Sequence, residues 1–391
     1  MKNTLLISKI SDQTRFALLE NNTPIELRLQ YNTCIGDIFL GIVLNINKSL
    51  GLAFVDLGKD TPGLLPLSQS FLKNPPFHEG EKILVQVTRD PENSDPHSLE
   101  KSKSVRLSLD ISFPTPFFIF LPRSAGLKFS RNIPKDPMDS QLSVLKESLA
   151  GGEGLIIRSL MFSVSMEILQ RTLHTCQKTW QDLQERAQSL KKPELLLKGA
   201  PFLLQYILHH MGNLKKIITN DKTLFHEIKE FLELYGTSSL IDVECPISLN
   251  KKSLFEDYDI EEKWETLKEP IIDIPLVGHL ILEKTAAFWV FDVNSSSFDT
   301  PNTSLSPFDI NLKAGEKILY DIRLKNLSGT IIVDFIPLRS LPLRQKLLTH
   351  LQRRAAEDPT QTHIHGISPL GLCEITRTKK GPSVLDQMAK K

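Results

Sequence analysis

Residues 288–298 read FWVFDVNSSSF, in which an apolar run gives way to a polar one. The first four residues favour a buried strand. Asp292 and Asn294 follow two positions apart, and residues at that spacing leave a strand on the same face. A carboxylate at the end of an apolar strand costs several kcal/mol if it has no partner. The stretch therefore predicts a specific partner for Asp292.

A second stretch, GTIIVDFI at residues 329–336, repeats this pattern, because the apolar residues Ile331, Ile332 and Val333 lead into Asp334. A helix is predicted between the two strands, at about residues 308–326. A strand–helix–strand unit places its strands parallel and close together. Asp292 and Asp334 would then lie side by side at the carboxyl ends of the strands, where α/β sheets have their sites.

Two neighbouring carboxylates repel each other and need a cation or a shared proton. Mg²⁺ typically binds one or two carboxylates together with water and phosphate oxygens. Asn294 could orient one of the carboxylates by a hydrogen bond. The alternative is that Asp292 and Asp334 each cap a turn after its strand, which is a common role of aspartate. The spacing alone leaves both interpretations open.

The composition sets broad limits on the kind of protein. A chain of 391 residues has room for roughly two to four domains of about 100–200 residues. Its net charge of +1 gives no attraction of the whole chain to nucleic acid, so any basic surface must be local. The four cysteines form no C-x-x-C pair, which disfavours a zinc knuckle or a disulfide framework. With no long apolar run and no signal peptide, we expect a cytoplasmic protein without an integral membrane segment.

The hydrophobic periodicity predicts the order of the elements. Two short strands are expected within residues 1–33, and several alternating strands at about 35–113 predict a small β-barrel. A single apolar stripe at helical spacing predicts a long helix at about 165–192. A helix at 341–356 and a closing strand, THIHGIS, complete an alternation of strands and helices, which indicates α/β layering.

Four motifs, taken in chain order, resemble the ribonuclease E/G family. They are GDIFLGIVLNINKSLGLAFVDLGKDTPGLLPL, GEGLIIRS, the strand pair FWVFDVNSS and IIVDFI, and HGISPLGLCEITR. The resemblance implies an α+β multidomain fold. It places an RNase H-like subdomain at 1–33 and 205–270, an S1 RNA-binding barrel of the OB-fold at 34–113, a 5′-sensor region at 114–204 and a DNase I-like α/β catalytic subdomain at 271–391.

The resemblance also implies an activity. Members of this family are expected to cleave single-stranded RNA in RNA processing, including that of ribosomal RNA, or in decay, and to leave 5′-phosphate ends. Asp292 and Asp334 would bind Mg²⁺, and Asn294 would orient one of them. Mn²⁺ is a possible substitute, because hard oxygen ligands suit both ions.

Further RNA contacts follow from the same resemblance. Phe54 would stack on a base and Lys103 would contact RNA, whereas Leu64 stands where the family has a second aromatic residue. Arg158 and Ser159 would bind a 5′-terminal phosphate. Each role has an alternative: Phe54 as barrel core, Lys103 as a solvated side chain, and Arg158 as half of a surface ion pair.

The chain departs from the family pattern around the two aspartates. Pro337 replaces an acidic residue, and Ser297 and Pro369 stand where arginines are expected. Fewer arginines would mean less positive charge to hold a phosphate. The C-x-x-C zinc link expected soon after Lys380 does not follow, so we expect no zinc, only a possible homodimer, and no degradosome scaffold tail.

Two functions therefore remain open at the level of sequence. The first is a Mg²⁺-dependent endoribonuclease. The second is a catalytically weakened or inactive RNA-binding paralogue of the same family. We favour the first, because selection for binding alone gives no reason to keep an acid at both strand ends. A structural protein that merely reuses the fold is a third class.

Overall fold

The computed structural model describes residues 3–67, 76–91, 104–130, 133, 140–246, 253–295 and 305–389. The strands, numbered in chain order, are β1 Asn3–Ile10, β2 Gln13–Glu20, β3 Thr23–Leu29, β4 Ile38–Asn47, β5 Leu52–Asp56, β6 Gly63–Pro66, β7 Lys82–Arg89, β8 Arg106–Ser108, β9 Phe113–Pro114, β10 Phe118–Leu121, β11 Gly126–Phe129, β12 Gly154–Ile157, β13 Glu194–Leu197, β14 Leu214–Thr219, β15 Asp242–Glu244, β16 Ile271–Ile274, β17 Gly278–Lys284, β18 Phe288–Ser295, β19 Gly329–Asp334, β20 Thr362–Ile367 and β21 Leu372–Arg377. The helices are α1 Ser140–Glu147, α2 Met166–Ser189, α3 Phe202–His210, α4 Lys222–Leu234, α5 Glu261–Glu265, α6 Pro307–Leu324, α7 Leu341–Ala355 and α8 Val384–Met388.

The chain divides into two compact units. The first comprises residues 1–30, 215–225 and 242–391, and the second comprises residues 31–214 and 226–241. In the described part of the chain, no helix combines the length and the apolar character needed to cross a membrane.

The first unit contains a five-stranded sheet in the order β15-β14-β1-β2-β3. The expectation of two strands within residues 1–33 is wrong, because the second stretch folds back into β2 and β3. Asn21 and Asn22 have φ angles of 49° and 61°. Positive φ at both central residues produces a tight two-residue hairpin turn, and asparagine tolerates that conformation better than most residues.

A second sheet of this unit has six strands in the order β16-β17-β18-β19-β21-β20. Strands β18 and β19 are parallel, as the strand–helix–strand pattern predicted, and their neighbours are antiparallel. The expectation of a single closing strand is wrong, because β20 and β21 form a hairpin and β21 pairs with β19. Gly371, in the turn before β21, has a φ of 101°, which favours glycine.

Helices α6 and α7 contribute to the core on one face of this sheet. The helix α6 begins where its sequence predicts: Pro307 occupies the first turn, and the Ser306 Oγ accepts a hydrogen bond from the Asp309 N–H. The buried side chains of the sheet and of the two helices form one cluster, which includes Trp289, Phe291, Val293, Ile318, Ile331, Val333 and Leu347.

The second unit contains the predicted barrel. Strands β4, β5, β6, β8 and β7 are hydrogen-bonded in that order, and pairing of β4 with β7 closes the ring, while β13 extends β4 on its other side. The prediction of a small β-barrel is therefore confirmed. A separate sheet has the order β11-β12-β10-β9. The predicted apolar stripe of α2 is buried, at Leu169, Leu173, Cys176, Trp180, Leu183 and Ala187.

Candidate active site

The two aspartates are direct neighbours at the point where the parallel pairing of β18 with β19 ends, although β18 itself continues to Ser295. Asp292 of β18 and Asp334 of β19 are register partners. Residues paired in register project from the same face of a sheet. The residues on either side of them in each strand, Phe291, Val293 and Val333, are buried in the core on the opposite face. Asp292 is half-buried and Asp334 is exposed, so both carboxylates emerge on the face away from this core.

Asn294 lies two residues beyond Asp292 on that face. Its Nδ2 donates a hydrogen bond of 3.0 Å to the Asp292 Oδ2. Among the described residues, no backbone N–H donates to either carboxylate, so the turn-capping interpretation has no support in this part of the chain. The amide instead restricts the rotation of the Asp292 carboxylate and leaves its other oxygen available.

The donor set fits a hard divalent cation. Two carboxylates on one face supply oxygen ligands, and Mg²⁺ or Mn²⁺ binds such ligands while retaining water and phosphate oxygens. No cluster of three or more histidine, cysteine, aspartate or glutamate side chains suited to a metal exists in the described ranges. Zinc usually takes four protein ligands in structural sites and three in catalytic ones, so the pair suits magnesium better than zinc.

Two further polar side chains lie beside Asn294, and sequence reasoning missed them. His279 of β17 is the register partner of Asn294, and Asp273 of β16 is the register partner of His279. The three side chains form a row across three strands on the face that carries Asp292. The polar alternation of each strand marked which residues face outward, but only the strand pairing brings them together.

The row through the aspartates has apolar ends. Ile281 is the register partner of Asp292 on β17, and Leu372 is the register partner of Asp334 on β21. Leu372 is 43% exposed. The immediate cross-strand neighbours of the two carboxylates therefore bring no positive charge to them.

Arg377, at the end of the HGISPLGLCEITR stretch, has a structural role. Its side chain is buried and forms an ion pair with Asp358, with the Nε 2.7 Å from the Asp358 Oδ2. The guanidinium also donates to the Asn326 Oδ1 and to the Leu327 carbonyl, each at 3.0 Å. These contacts hold the turn between α6 and β19, at the end of β19 that is remote from Asp334.

On the barrel, Phe54 points outward. It is half-buried, whereas its neighbours Ala53 and Val55 are buried inside the barrel. The register partners of Phe54 are Asn45 on β4 and Leu64 on β6. The geometry places Phe54 on the outer face of the barrel and disfavours the barrel-core alternative.

Arg106 extends this row and was missed in the sequence. It is exposed and is the register partner of Leu64. Its own partner on β7 is Arg89, so two arginines occupy adjacent strands at this position. Lys103, the predicted RNA-contacting lysine, lies outside the described residues.

Arg158 is half-buried and directly follows β12. One guanidinium nitrogen donates to the carbonyl oxygens of Thr115 and Leu208, each at 3.1 Å. Desolvation by burial lowers the pKa of Arg158. Among the described residues no carboxylate forms an ion pair with it, so the surface ion-pair alternative has no support there. Ser159 is exposed, and its Oγ lies against Gly212, since a Cβ there would approach it to 3.2 Å.

A family model described as "Ribonuclease E/G family" matches residues 112–380 of this chain. The chain belongs to the ribonuclease E/G family. The matched range contains the two aspartates, Asn294 and Arg158. The family resemblance predicted from the four motifs is therefore confirmed.

Relatives within this family cover nearly the whole chain. Ribonuclease G of Haemophilus influenzae is 28% identical over 404 residues, which span 97% of this chain and 80% of that protein. Ribonuclease G of Escherichia coli is 25% identical over 410 residues, spanning 98% and 81%. Ribonuclease E of a Nostoc species is 28% identical over 367 residues, spanning 90% of this chain but 52% of that protein. The chain thus spans about half the length of the ribonuclease E that it matches.

Replacing Arg377 with methionine is expected to destabilise the first unit. The substitution leaves the buried Asp358 carboxylate without its partner, and breaking a buried ion pair in this way costs about 3–5 kcal/mol. The free energy of unfolding, measured by urea denaturation, should fall by that amount. Arg354→Met, which removes the exposed pair of Arg354 with Glu357, is the control and should change it by less than about 1 kcal/mol. Equal effects of the two substitutions would contradict this assignment.

Proposed function

We propose that this chain is an endoribonuclease that hydrolyses phosphodiester bonds of single-stranded RNA with the help of Mg²⁺ and leaves 5′-phosphate ends. Its role would lie in RNA processing, including that of ribosomal RNA, or in RNA decay. The observation that carries the proposal is the register pairing of Asp292 with Asp334, together with the hydrogen bond from Asn294 to Asp292. Membership in a family whose named relatives are ribonucleases supports it.

The residues of the pair would have distinct tasks in this reaction. Asp292 and Asp334 would hold the cation from one face of the sheet, with Mn²⁺ as a possible substitute. Asn294 would keep the Asp292 carboxylate in one orientation. When bound, the cation would polarise a phosphoryl oxygen, lower the pKa of a bound water and stabilise the leaving oxygen. The face of the sheet that carries the carboxylates would receive the RNA backbone.

The finer division of the chain is part of the same proposal. An RNase H-like subdomain at 1–33 and 205–270 is supported by the single sheet that joins β1–β3 with β14 and β15. An S1 domain at 34–113 is supported by the closed five-stranded barrel. The 5′-sensor at 114–204 and the DNase I-like subdomain at 271–391 rest on the family pattern.

We infer that RNA binds along the row of Phe54, Leu64 and Arg106 on the barrel. The three residues occupy adjacent register positions. The aromatic ring and the aliphatic side chain would contact a base, and the guanidinium would contact the phosphate next to it. At the other proposed contact, the Arg158 guanidinium is desolvated and Ser159 offers an exposed hydroxyl. Such a pair suits a terminal 5′-phosphate.

The second candidate is an RNA-binding protein that does not cleave. The apolar ends of the row through the carboxylates, Ile281 and Leu372, favour it, because a phosphoryl-transfer site generally needs positive charge. Pro337 and Pro369, both exposed in the loops that follow β19 and β20, add no charge either.

Replacing either aspartate of the pair with asparagine is expected to abolish cleavage. Asp292→Asn or Asp334→Asn replaces a negatively charged carboxylate, which would bind the cation, with a neutral amide. We expect the rate of RNA cleavage to fall by about 100-fold or more. The measurement is cleavage of a 5′-monophosphorylated, A/U-rich single-stranded RNA in Mg²⁺, followed by mapping of the product ends.

Glu283→Gln is the matched control, because Glu283 is an exposed acid on β17 of the same sheet, opposite Val290, and belongs neither to the pair nor to the row at Asn294. It should retain the wild-type rate. If the wild type is as inert as both pair variants while it still binds RNA, the chain is the non-cleaving paralogue.

Replacing Phe54 or Arg106 with alanine is expected to weaken RNA binding. Loss of one stacked base costs about 1–3 kcal/mol. Loss of one phosphate contact should reduce the slope of log K against log salt by about 0.7, since it releases fewer counterions. Fluorescence anisotropy with a labelled single-stranded RNA at several salt concentrations measures both effects.

Lys82→Ala removes the same charge elsewhere on the barrel, where the Lys82 Nζ donates to the Leu190 carbonyl. It should leave the salt slope unchanged. If Phe54→Ala unfolds the barrel by circular dichroism, Phe54 is a core residue after all.

Replacing Arg158 with alanine is expected to remove any preference for 5′-monophosphate over 5′-hydroxyl RNA. Arg186→Ala, which breaks an exposed pair with Glu194, is the control for general loss of positive charge. Cleavage rates on the two RNAs give the ratio. An unchanged ratio in the Arg158 variant would rule out its role as a phosphate sensor.

A further inference from the structure

Asn311 is an unusual residue in the position it occupies. It lies in the second turn of α6 and is 0% exposed. Its helix neighbours Ile310, Ala314 and Ile318 are buried apolar side chains. Asparagine is a poor residue for a helix interior, and its amide costs stability when it is buried without partners. Its presence therefore calls for a specific contact.

That contact is with the chain that leaves β19. The Asn311 Nδ2 donates to the Ile336 carbonyl oxygen at 2.7 Å, and the Asn311 Oδ1 accepts from the Ile336 N–H at 3.0 Å. One side-chain amide thus pairs with both backbone groups of a single residue, as a neighbouring strand would do. Ile336 lies two residues beyond Asp334, where the strand pairing of β19 has already ended.

The same segment is held from its other side by the turn before β21. The Phe335 N–H donates to the Gly371 carbonyl at 3.2 Å. A Cβ at Gly371 would lie 2.2 Å from the Phe335 carbonyl oxygen, so the two backbones touch. Phe335 itself is buried in the core. Residues 335–336 are therefore clamped between α6 and the turn at Gly371.

This clamp matters because, among the described residues, nothing else holds Asp334 beyond the pairing of its own strand. Asp292 is held by Asn294, but in the described part of the chain no side chain or backbone N–H donates to the Asp334 carboxylate. Its position depends on its backbone, which is paired with Asp292 before the strand ends and clamped immediately afterwards. Helix α6 follows the strand of Asp292 in the chain, so its asparagine links the two strand ends.

We propose that Asn311 is a positioning residue that holds Asp334 against Asp292 in the geometry that a shared divalent cation requires. This inference rests on the proposed function, because it presumes that the pair binds a cation. Asn311 does not touch the cation or the RNA. It acts through the two backbone hydrogen bonds to Ile336.

The test is a Mn²⁺ titration of Asn311→Asp, read by electron paramagnetic resonance or calorimetry. The substitution conserves size but removes the donor to Ile336 and directs a carboxylate oxygen at its carbonyl. We expect the affinity for Mn²⁺ to fall by about 10-fold or more, as is typical when a group that orients a metal ligand is lost. The Mg²⁺ concentration needed for half-maximal cleavage should rise in parallel, with little change in KM for RNA.

Asn326→Asp is the matched control. Asn326 is also buried, with 2% exposure, and its Nδ2 also donates to backbone carbonyls, those of Lys380 and Pro382. It precedes β19, whereas Asp334 ends that strand. Asn326→Asp should lower stability without lowering Mn²⁺ affinity.

Asn311→Ser is a second variant that adds no charge. Its side chain is too short to form the hydrogen bonds to Ile336. It should reproduce the loss of Mn²⁺ affinity even if Asn311→Asp does not fold.

The outcomes separate this inference from the proposed function. If wild type binds Mn²⁺ and Asp334→Asn abolishes that binding, yet Asn311→Ser binds normally, the positioning role is overturned and the nuclease proposal stands. If both Asn311→Ser and Asn326→Asp lose affinity in proportion to their loss of stability, Asn311 is only structural and the inference is overturned. If wild type binds no Mn²⁺ that depends on Asp334, the proposed function fails together with the inference.

Discussion

The parallel pairing of β18 with β19 is the constraint on which the candidate site depends. It sets Asp292 opposite Asp334, and every other polar group of the site is arranged around that pair. A shift of one residue in either strand would turn one carboxylate into the apolar core, because side chains alternate between the faces of a sheet. The register is fixed by burial on the opposite face, where Phe291 and Val333 pack against the helices. Hydrophobic packing on one face of the sheet thus places both negative charges on the other face.

Much of this arrangement could be predicted from local sequence. The strands that carry Asp292 and Asp334 begin as short apolar runs that lead into a polar residue, and α2 carries an apolar stripe at helical spacing. Such patterns depend on neighbouring residues alone. The hairpin at Asn21 and Asn22 was missed because two asparagines in a polar stretch do not by themselves indicate a positive φ at both positions.

Features that depend on the pairing of distant strands could not be predicted. His279 faces Asn294, and Arg106 faces Leu64, only because particular registers bring them together. In the sequence, Asn311 is a single polar residue on an otherwise apolar helix face. No local pattern indicates its hydrogen bond to Ile336, 25 residues later. The motifs mark the side chains that are proposed to bind, whereas the residues that hold those side chains in place become visible only in the tertiary structure.

The buried ion pair of Arg377 with Asp358 has a consequence for how family likeness should be interpreted. Arg377 closes a stretch that helped to reveal the kinship of this chain, yet its partners are a carboxylate, an amide and a carbonyl of its own fold. Mutations of Asp292 or Asp334 would leave the stabilising contribution of Arg377 intact, and selection for a folded chain would continue to preserve it. Family likeness at Arg377 is therefore evidence of a shared fold, whereas likeness at Asp292 and Asp334 also bears on the proposed activity.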